Sequence, residues 1–289
     1  MLSDMDVSIG VRPLGKDDLD AAAAILDAAY AAPRGYRGEL ARYLRLQPDG
    51  WLLALLDGRP AGVVGAIDYG PFAYVGLMGV HPRGQRRGVA LALMGRLLDW
   101  LDARHCPLAL LDASAAGEPL YARLGFVEDA RSLLFRRETG LPTSAAPAAT
   151  VTPLRPDDLP ALARFDRPIF GADRSAVFAS YLADAPERAF LARDRAGAIE
   201  GYVFAQTQRL GPWAASRPED ADALLTAALS LPFDDAPVTL VPSVNPDAAR
   251  LLRRHGFALQ RSLSHMRRGG DAPPGRRALL YGQASFAIG

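Results

Sequence analysis

Val80-His81-Pro82-Arg83-Gly84-Gln85-Arg86-Arg87-Gly88-Val89-Ala90 is the stretch that decides the fold. An apolar run over 75–80 precedes it, and an amphipathic run over 91–101 follows it. This pattern predicts a strand, a turn that holds three arginines and two glycines, and then a helix. Main-chain N–H groups at a helix N-terminus point outward, and the helix dipole favours negative charge there. The stretch is therefore a candidate pyrophosphate cradle, and the alternative is an ordinary basic turn.

Composition narrows the class of protein. The chain has 289 residues, 49% of them hydrophobic, and a formal net charge of +1, so no global field favours nucleic acid or a membrane surface. One cysteine, Cys106, excludes an internal disulfide, and the four scattered histidines show no metal-ligand spacing. No apolar run is long enough to span a bilayer, and residues 1–10 do not form a signal peptide. We expect a soluble cytoplasmic protein with no metal, no nucleic-acid partner and no membrane partner.

The chain repeats itself. Residues 13–19 (PLGKDDL) return as residues 153–159 (PLRPDDL), and 131–133 (RSL) returns as 261–263 (RSL). Offsets of 140 and 130 residues indicate two copies of one domain. Residues 139–149, rich in Pro, Ala, Thr and Ser, have linker composition. The predicted organisation is a first domain over 1–138, a linker over 139–149 and a second domain over 150–289.

Periodicity predicts the order β-α-α-β-β-β-α-β-α-β in each copy. In the first copy we expect strands over 7–12, 51–56, 60–69, 72–80, 107–111 and 126–136 and helices over 17–30, 38–46, 88–104 and 118–124. Asp57-Gly58 is a good turn dipeptide for a hairpin. Strands of the second copy are expected near 151, 189, 198–207, 238 and 257, and the tail over 278–288 is predicted to add a strand.

Two motifs carry a family resemblance. Gln85-x-x-Gly88-x-Ala90 resembles the acetyl-CoA signature of the GNAT (Gcn5-related) N-acetyltransferases, and Tyr121-x-x-Leu124-Gly125-Phe126 resembles their second signature. Neither a P-loop nor a dinucleotide-binding glycine pattern fits. Residues 165–174 are similar to the second half of bacterial tandem GNAT proteins. The resemblance implies an α/β fold (α+β by some schemes) of two tandem GNAT domains, each with a mixed, mostly antiparallel twisted sheet flanked by helices.

The resemblance also implies where acetyl-CoA binds. The pyrophosphate takes main-chain groups of 85–91 with nearby arginines, and the amide-rich pantetheine arm pairs with the end of the fourth strand. Ser114 stands where many relatives place an asparagine, as Asn245 does in the second copy; it is predicted to hold pantetheine or a water, or to cap a helix. The predicted cofactor-binding residues are Met78, Gly79, Val80, Gln85, Arg86, Arg87, Gly88, Val89, Ala90, Leu91 and Ser114.

The catalytic assignments start from Tyr121. By resemblance it is the acid toward the leaving thiolate, and the alternative is a tyrosine that packs on the core. Because phenol and thiol pKa values differ by about 1.5, full proton transfer costs roughly 2 kcal/mol. A neutral amine nucleophile needs a base. The resemblance does not fix that base, and Asp68, Glu39 and Asp112 are the candidates.

The second copy lacks the first motif. Residues 210–221 (LGPWAASRPEDA) place acidic side chains where phosphates would lie, and Leu252 stands at the counterpart of Tyr121. Like charge repels the cofactor, so we expect a degenerate second domain with a structural or cleft-lining role.

The function expected from the sequence is acetyl transfer to a primary amine of a small molecule by direct attack in a ternary complex. Two alternatives remain open: a non-catalytic acyl-CoA-binding sensor or scaffold, and a transferase that uses a longer acyl-CoA. A small-molecule amine is the expected partner, in a monomeric pseudo-dimer or a homodimer.

Overall fold

The computed structural model describes residues 8–31, 35–139, 150–270, 272 and 274–289. Residues 140–149 of the predicted linker lie outside the described residues. By its packing the chain forms two compact units, one of residues 1–109 with Ile288 and the other of residues 110–287 with Gly289. The domain boundaries inferred from the repeat remain a prediction.

The first unit is a four-stranded antiparallel sheet, in the order β1-β2-β3-β4, with three helices. Its elements are β1 (Ile9–Pro13), α1 (Leu19–Tyr30), α2 (Tyr36–Leu46), β2 (Trp51–Leu56), β3 (Arg59–Asp68), β4 (Ala73–Val80) and α3 (Val89–Ala103).

The β2–β3 hairpin closes as the sequence predicts. Leu56 pairs with Arg59, and the two residues between them, Asp57 and Gly58, have φ values of 50° and 75°. Positive φ at both central residues is the mark of a type I′ turn, which matches the right-handed twist of the flanking strands. The turn sets the pairs Leu56–Arg59 and Leu55–Pro60, and a bulge at Ala61 then shifts the register so that the buried Leu53 lies opposite the buried Val63.

The second unit holds the remaining elements. They are β5 (Ala109–Ala113, which begins at the last residue of the first unit), α4 (Glu118–Arg123), β6 (Val127–Arg137), β7 (Val151–Pro153), α5 (Leu159–Phe170), α6 (Ser175–Asp184), β8 (Ala189–Arg193), β9 (Ile199–Ala205), β10 (Leu210–Ala215), α7 (Pro218–Leu229), β11 (Val238–Pro242), α8 (Pro246–Arg254), β12 (Phe257–Arg268) and β13 (Leu280–Gly282). Its strands lie in the orders β5-β12-β6-β11 and β13-β10-β9-β8-β7.

The longest ladder joins the two repeated segments. In the antiparallel β6–β12 pair, Ser132 lies opposite Leu263 and Leu133 lies opposite Ser262. Because the two segments are related by an offset of 130 residues, exchanging them maps this pairing onto itself. A local pseudo-twofold axis therefore passes between these pairs, and β6 of the first copy lies between β12 and β11 of the second copy.

The expected fold class is confirmed. Both copies have the predicted element order, and most boundaries agree within two residues. The tail differs from the expectation, since only Leu280–Gly282 of the segment 278–288 is a strand. The interleaving of strands from the two copies was not predicted, because periodicity gives the face of a strand and not its neighbour.

A buried ion pair stabilises the helical layer of the second unit. Arg174 donates to both oxygens of Asp166, at 2.8 and 2.9 Å, and to the hydroxyl of Tyr202 at 2.7 Å. The Tyr202 hydroxyl donates to Asp166 at 2.6 Å, and the guanidinium lies 4.0 Å from the ring centroid of Phe170. Asp166 and Arg174 are only 1% and 2% exposed. Such a pair is costly to break, because the surviving charge stays buried.

Asp166→Asn is expected to destabilise the protein by about 3–5 kcal/mol, since it leaves the Arg174 charge uncompensated in the interior. Asp247→Asn is the matched control, because its ion pair with Arg250 is 43% and 72% exposed and is worth less than about 1 kcal/mol. Chemical denaturation of the two variants measures the difference. Equal losses of stability would contradict the assignment of Asp166 as a structural anchor.

Candidate active site

Strand β4 carries a bulge where the predicted pantetheine-binding residues begin. Val63 pairs with Gly79 and Gly65 pairs with Gly76, so β4 has two residues, Leu77 and Met78, opposite one residue of β3. Leu77 has φ of 51°, which is strained for a leucine, and it is buried. Bulges bend a strand and re-aim its groups, and strain of this kind clusters at functional sites. No sequence signal pointed to Leu77, because a leucine is an unexpected residue at positive φ.

The main chain at the end of β4 is held by side chains from both directions. The Tyr30 hydroxyl, on α1, donates to the Met78 carbonyl at 3.0 Å. From the turn that follows, Gln85 Nε2 donates to the Val80 carbonyl at 3.2 Å. The carbonyls of Met78 and Val80 are thus oriented by specific donors, and Tyr30 is a contributor that the sequence did not reveal.

The turn after β4 has the geometry of a tight strand-to-helix connection. Residues 82–84 form one 3-10 turn, and His81 Nδ1 accepts from the Arg83 N–H at 3.3 Å. Arg86 has φ of 59° and Gly88 has φ of 85°. Gly88 is the residue before α3, and a left-handed backbone there favours glycine. This requirement explains the glycine of the motif.

Helix α3 presents main-chain donors at its start. Its first intrahelical bond runs from the Ala92 N–H to the Gly88 carbonyl at 3.0 Å, so the N–H groups of Val89, Ala90 and Leu91 precede the hydrogen-bond ladder. They lie at the positive end of a 15-residue helix. The predicted pyrophosphate-binding backbone therefore has the geometry that an anion requires.

The three arginines of the turn differ in their hydrogen-bond and ion-pair partners. Arg83 donates to the Pro60 carbonyl at 3.0 Å, and Arg87 pairs with Asp57 at 3.2 Å. Arg86 is exposed in the same turn and is held by neither of these partners. Since the Arg87–Asp57 pair is itself 40% and 53% exposed, it is weak and exchangeable. The binding of phosphate by Arg86 and Arg87 remains a prediction.

Asp68 ends β3 as an anchor. Its Oδ2 accepts from Arg104 Nε at 2.8 Å and its Oδ1 accepts from the Gly70 N–H at 2.8 Å. The carboxylate is only 13% exposed. To act as a base it would have to leave Arg104, so this geometry favours a role in fixing the end of α3 to β3.

Glu39 lies in the first turn of α2. It follows Tyr36 by one helical turn of α2, and the Tyr36 ring centroid is 5.7 Å from that of Tyr30. Tyr30 in turn contacts Met78 through its hydroxyl. Glu39 itself is half-buried, and its role as a base remains a prediction.

Tyr121 lies in the second unit, on α4, and is 7% exposed. Its ring centroid is 5.9 Å from that of Phe126 in an edge-on arrangement. Burial raises the pKa of Tyr121 well above its usual range, because the phenolate loses solvation. The side chain therefore remains a neutral hydrogen-bond donor on the alkaline side of neutrality.

Ser114 begins the turn that leads into the same helix. Its Oγ accepts from the Gly117 N–H at 3.3 Å, and its carbonyl accepts from the N–H groups of Gly117 and Glu118 at 2.9 Å. These bonds close the turn before α4, whose N-cap is Gly117 with no side-chain cap, and the role of Ser114 toward pantetheine remains a prediction.

Asp112 belongs to a buried network that the sequence did not reveal. Its Oδ1 accepts from the Ser132 hydroxyl at 2.6 Å and lies 3.2 Å from His265 Nδ1, and its Oδ2 accepts from Gln283 Nε2 at 3.0 Å. The side chains of Asp112 and His265 are fully buried. Because a base must reach its substrate, this network favours a structural role for Asp112.

The described ranges contain neither a metal-binding cluster nor a helix suited to cross a membrane. No cluster of three or more His, Cys, Asp or Glu residues there is arranged to hold a metal ion. None of the helices described has the length and hydropathy that crossing a bilayer requires. The thiol of Cys106 is half-buried and desolvation raises its pKa, which is typical of a packing residue rather than of a reactive thiol.

Comparison with known families gives two matches. The model of the acetyltransferase (GNAT) family matches residues 20–126, which take in both the turn after β4 and Tyr121. A second model, an acetyltransferase (GNAT) domain, matches residues 162–282. No curated protein sequence matches the chain significantly.

Solved structures resemble the whole chain. A proposed acetyltransferase from Pyrococcus horikoshii matches with a TM-score of 0.85 and 27% identity, covering 97% of this chain and 96% of its own. A GCN5-related N-acetyltransferase from Sphaerobacter thermophilus matches with a TM-score of 0.69 and 19% identity, covering 92% of this chain and 98% of its own. At this lower identity the second likeness concerns the fold alone.

Gly88→Glu is expected to weaken acetyl-CoA binding by at least about 100-fold, because it sets a negative charge among the donors that face a phosphate. Gly88→Gln is the first control, since it carries the same strain at φ of 85° and nearly the same bulk without charge. Gly95→Glu is the second control, because a side chain there meets open space on the same helix. Titration calorimetry compares the three; equal affinities for Gly88→Glu and wild type would remove the cradle assignment.

Proposed function

Because the chain belongs to the GNAT N-acetyltransferase superfamily and carries two GNAT domains in tandem, we propose that it transfers an acetyl group from acetyl-CoA to a primary amine of a small molecule. GNAT acetyltransferases use acetyl-CoA, and the first domain is proposed to bind it. The observation that carries the proposal is the bulged end of β4 followed by the Gly88 turn and the free start of α3. Substrate identity and mechanism are the proposed part.

The first domain is proposed to bind acetyl-CoA along its length. The start of α3, with Arg86 and Arg87, would hold the pyrophosphate, since guanidinium groups suit phosphate oxygens. Met78, Gly79 and Val80 would pair with the amides of the pantetheine arm. The N–H of Gly79 is proposed to donate to the thioester oxygen, and a fixed donor of this kind is worth about 3 kcal/mol in other enzymes.

The reaction is proposed as a direct attack in a ternary complex. The neutral amine nitrogen attacks the thioester carbonyl carbon, the C–S bond breaks, and the thiolate leaves with a proton supplied by the protein. The new amide nitrogen loses its proton to a base. The base is proposed to be Glu39, Asp68 or Asp112; to serve, Asp68 would have to release Arg104 and the Gly70 N–H.

Tyr121 is proposed as the proton donor to the thiolate. Its raised pKa makes complete proton transfer to an ordinary thiolate cost more than roughly 2 kcal/mol. An apolar environment raises a thiol pKa for the same reason that it raises a phenol pKa, so the two values shift in the same direction. A hydrogen bond from a neutral phenol therefore suffices to stabilise the leaving group.

The second domain is proposed not to bind acetyl-CoA at the equivalent helix. The N-terminus of α7 begins with Pro218, Glu219 and Asp220, and Arg217 pairs with Asp220 at 2.9 Å. Carboxylates at this position already satisfy the positive end of the helix dipole. A pyrophosphate would meet like charge there.

Saturating acetyl-CoA is expected to raise the thermal stability of the protein, since a ligand at 100 times its Kd adds about 2.7 kcal/mol. Release of free thiol with a panel of amino acids, polyamines and amino sugars then identifies the acceptor class. Oxidised nicotinamide dinucleotide, which also has a pyrophosphate, is the control ligand and is expected to give no shift. Stabilisation without thiol release from any amine would favour the sensor alternative, and the absence of stabilisation would contradict the proposal.

Tyr121→Phe is expected to lower kcat by about 100-fold with little change in affinity for acetyl-CoA, because only the leaving-group interaction is lost.

Since burial raises the Tyr121 pKa, the donating form persists as pH rises, so wild-type kcat is expected to stay level up to about pH 10. Tyr43→Phe, at a fully buried tyrosine of α2, is the control and should retain the wild-type rate. A pH–rate profile of all three proteins measures this; a wild-type rate for Tyr121→Phe would return this residue to core packing.

A further inference from the structure

The second GNAT domain contains a splayed pair of strands. β10 and β11 start side by side, where Arg209 and Val238 form a single parallel bridge. Beyond that bridge they separate into different sheets. By the repeat, β10 corresponds to β4 and β11 corresponds to β5. The gap between β10 and β11 is therefore the counterpart of the groove that holds pantetheine in this fold.

Strand β13 of the same chain lies in this gap. On one side it pairs antiparallel with β10, with Gly282 opposite Trp213 and Leu280 opposite Ala214. On the other side the Gln283 N–H donates to the Leu240 carbonyl of β11 at 2.8 Å. Residues 280–283 therefore use main-chain groups on both walls, as an amide-rich pantetheine arm would.

Asn245, which follows the end of β11, also binds β13. It stands where relatives place the asparagine that Ser114 replaces in the first copy. Here its Nδ2 donates to the Leu280 carbonyl at 2.9 Å, and its Oδ1 accepts from the Ala248 N–H at 3.0 Å. The residue is 2% exposed. The side-chain amide that would face pantetheine is occupied by a peptide carbonyl.

The fit of β13 leaves no space for a second occupant. A Cβ on Gly282 would lie 2.7 Å from Thr239 Oγ1 and 2.8 Å from the Leu210 carbonyl oxygen. A Cβ on Gly211 would lie 2.0 Å from the Gln283 carbonyl oxygen. The Tyr281 ring centroid is 5.2 Å from that of Trp213, and both residues are buried. The groove is packed as an interior and not as a ligand cleft.

We propose that β13 is an internal surrogate for pantetheine, which fills the cofactor groove of the second domain and limits the chain to one acetyl-CoA. The domain thereby satisfies the main-chain groups of two diverging strands without a ligand. The inference rests on the proposed function for the expected binding at the first domain. It adds that loss of the second site is steric as well as electrostatic.

Hydrogen exchange of the full chain with and without acetyl-CoA tests the surrogate directly. In the free protein, the amides of 280–283 are expected to exchange as slowly as those of β9, because they belong to a buried ladder. At 100 times its Kd, acetyl-CoA is expected to slow exchange over 78–80 and 86–91 by about 100-fold, with 210–215 and 280–283 unchanged. Calorimetry is expected to give about one acetyl-CoA per chain.

The results that would overturn the proposal for β13 differ from the result that would overturn the proposed function. Protection of 210–215 by acetyl-CoA, or faster exchange over 280–283 on its addition, would overturn the surrogate, since the ligand would then compete with β13. Fast exchange over 280–283 in the free protein would overturn it as well. Absence of protection over 78–91 would overturn the proposed function, while the free-protein exchange of 280–283 still decides whether β13 fills the groove.

Gly282→Val tests the packing of β13 by a second route. Its side chain would collide with Thr239 and the Leu210 carbonyl, so the melting temperature is expected to fall by about 5 °C or more. Gly10→Val is the matched control, because a Cβ at that strand residue meets open space; it is expected to melt like the wild type. Equal melting temperatures for the two variants would contradict a filled groove, and if Gly282→Val does not fold, the exchange experiment on the wild type carries the test.

Discussion

The structure depends on hydrogen-bond partners for the main-chain N–H and C=O groups at the edges of its buried strands. Buried N–H and C=O groups without a hydrogen bond cost free energy comparable to the loss of that bond. When β10 and β11 diverge after the Arg209–Val238 bridge, each keeps a strand on its far side but loses its neighbour on the facing side. β13 supplies the missing partners through Gly282 and Gln283. The GNAT fold opens a groove in its sheet, and an open groove must be filled by a ligand, by water or by the chain itself.

Most of the fold could be predicted from the sequence, because its local signals agree with its tertiary structure. Asp57-Gly58 specifies a turn whose backbone twist fits the strands, and the repeat at 131–133 and 261–263 marks two equivalent strands. The sequence could not predict that these equivalent strands pair with each other. Pairing partners depend on long-range packing, whereas periodicity reports only which face of a strand is buried. The interleaved order β5-β12-β6-β11 is a tertiary fact of that kind.

The sequence predicts those parts of the candidate site that depend on main-chain conformation better than those that depend on contacts between side chains. Glycine at 88 is required by a left-handed residue before α3, so the motif and the geometry express one constraint. The carboxylates have no such constraint. Asp68 and Asp112 are both engaged by neighbours distant in sequence, Arg104 for the first and Gln283 and His265 for the second. Contacts of this kind depend on the folded arrangement, so the sequence does not predict them.

The two copies treat strain at the bulged strand differently, and this difference supports their different roles. In β4 the bulge places a leucine, Leu77, at φ of 51°, where a bulky side chain is unfavourable. In β10 the register also shifts, between Leu210 and Trp213, but the positive φ falls on Gly211, which adopts it at little cost. A strained residue persists only when its surroundings require it, and such residues concentrate at functional sites. The first copy retains strain next to the main chain proposed to bind the acyl donor, whereas the second copy, whose groove is filled by β13, has none at the equivalent bulge because glycine relieves it.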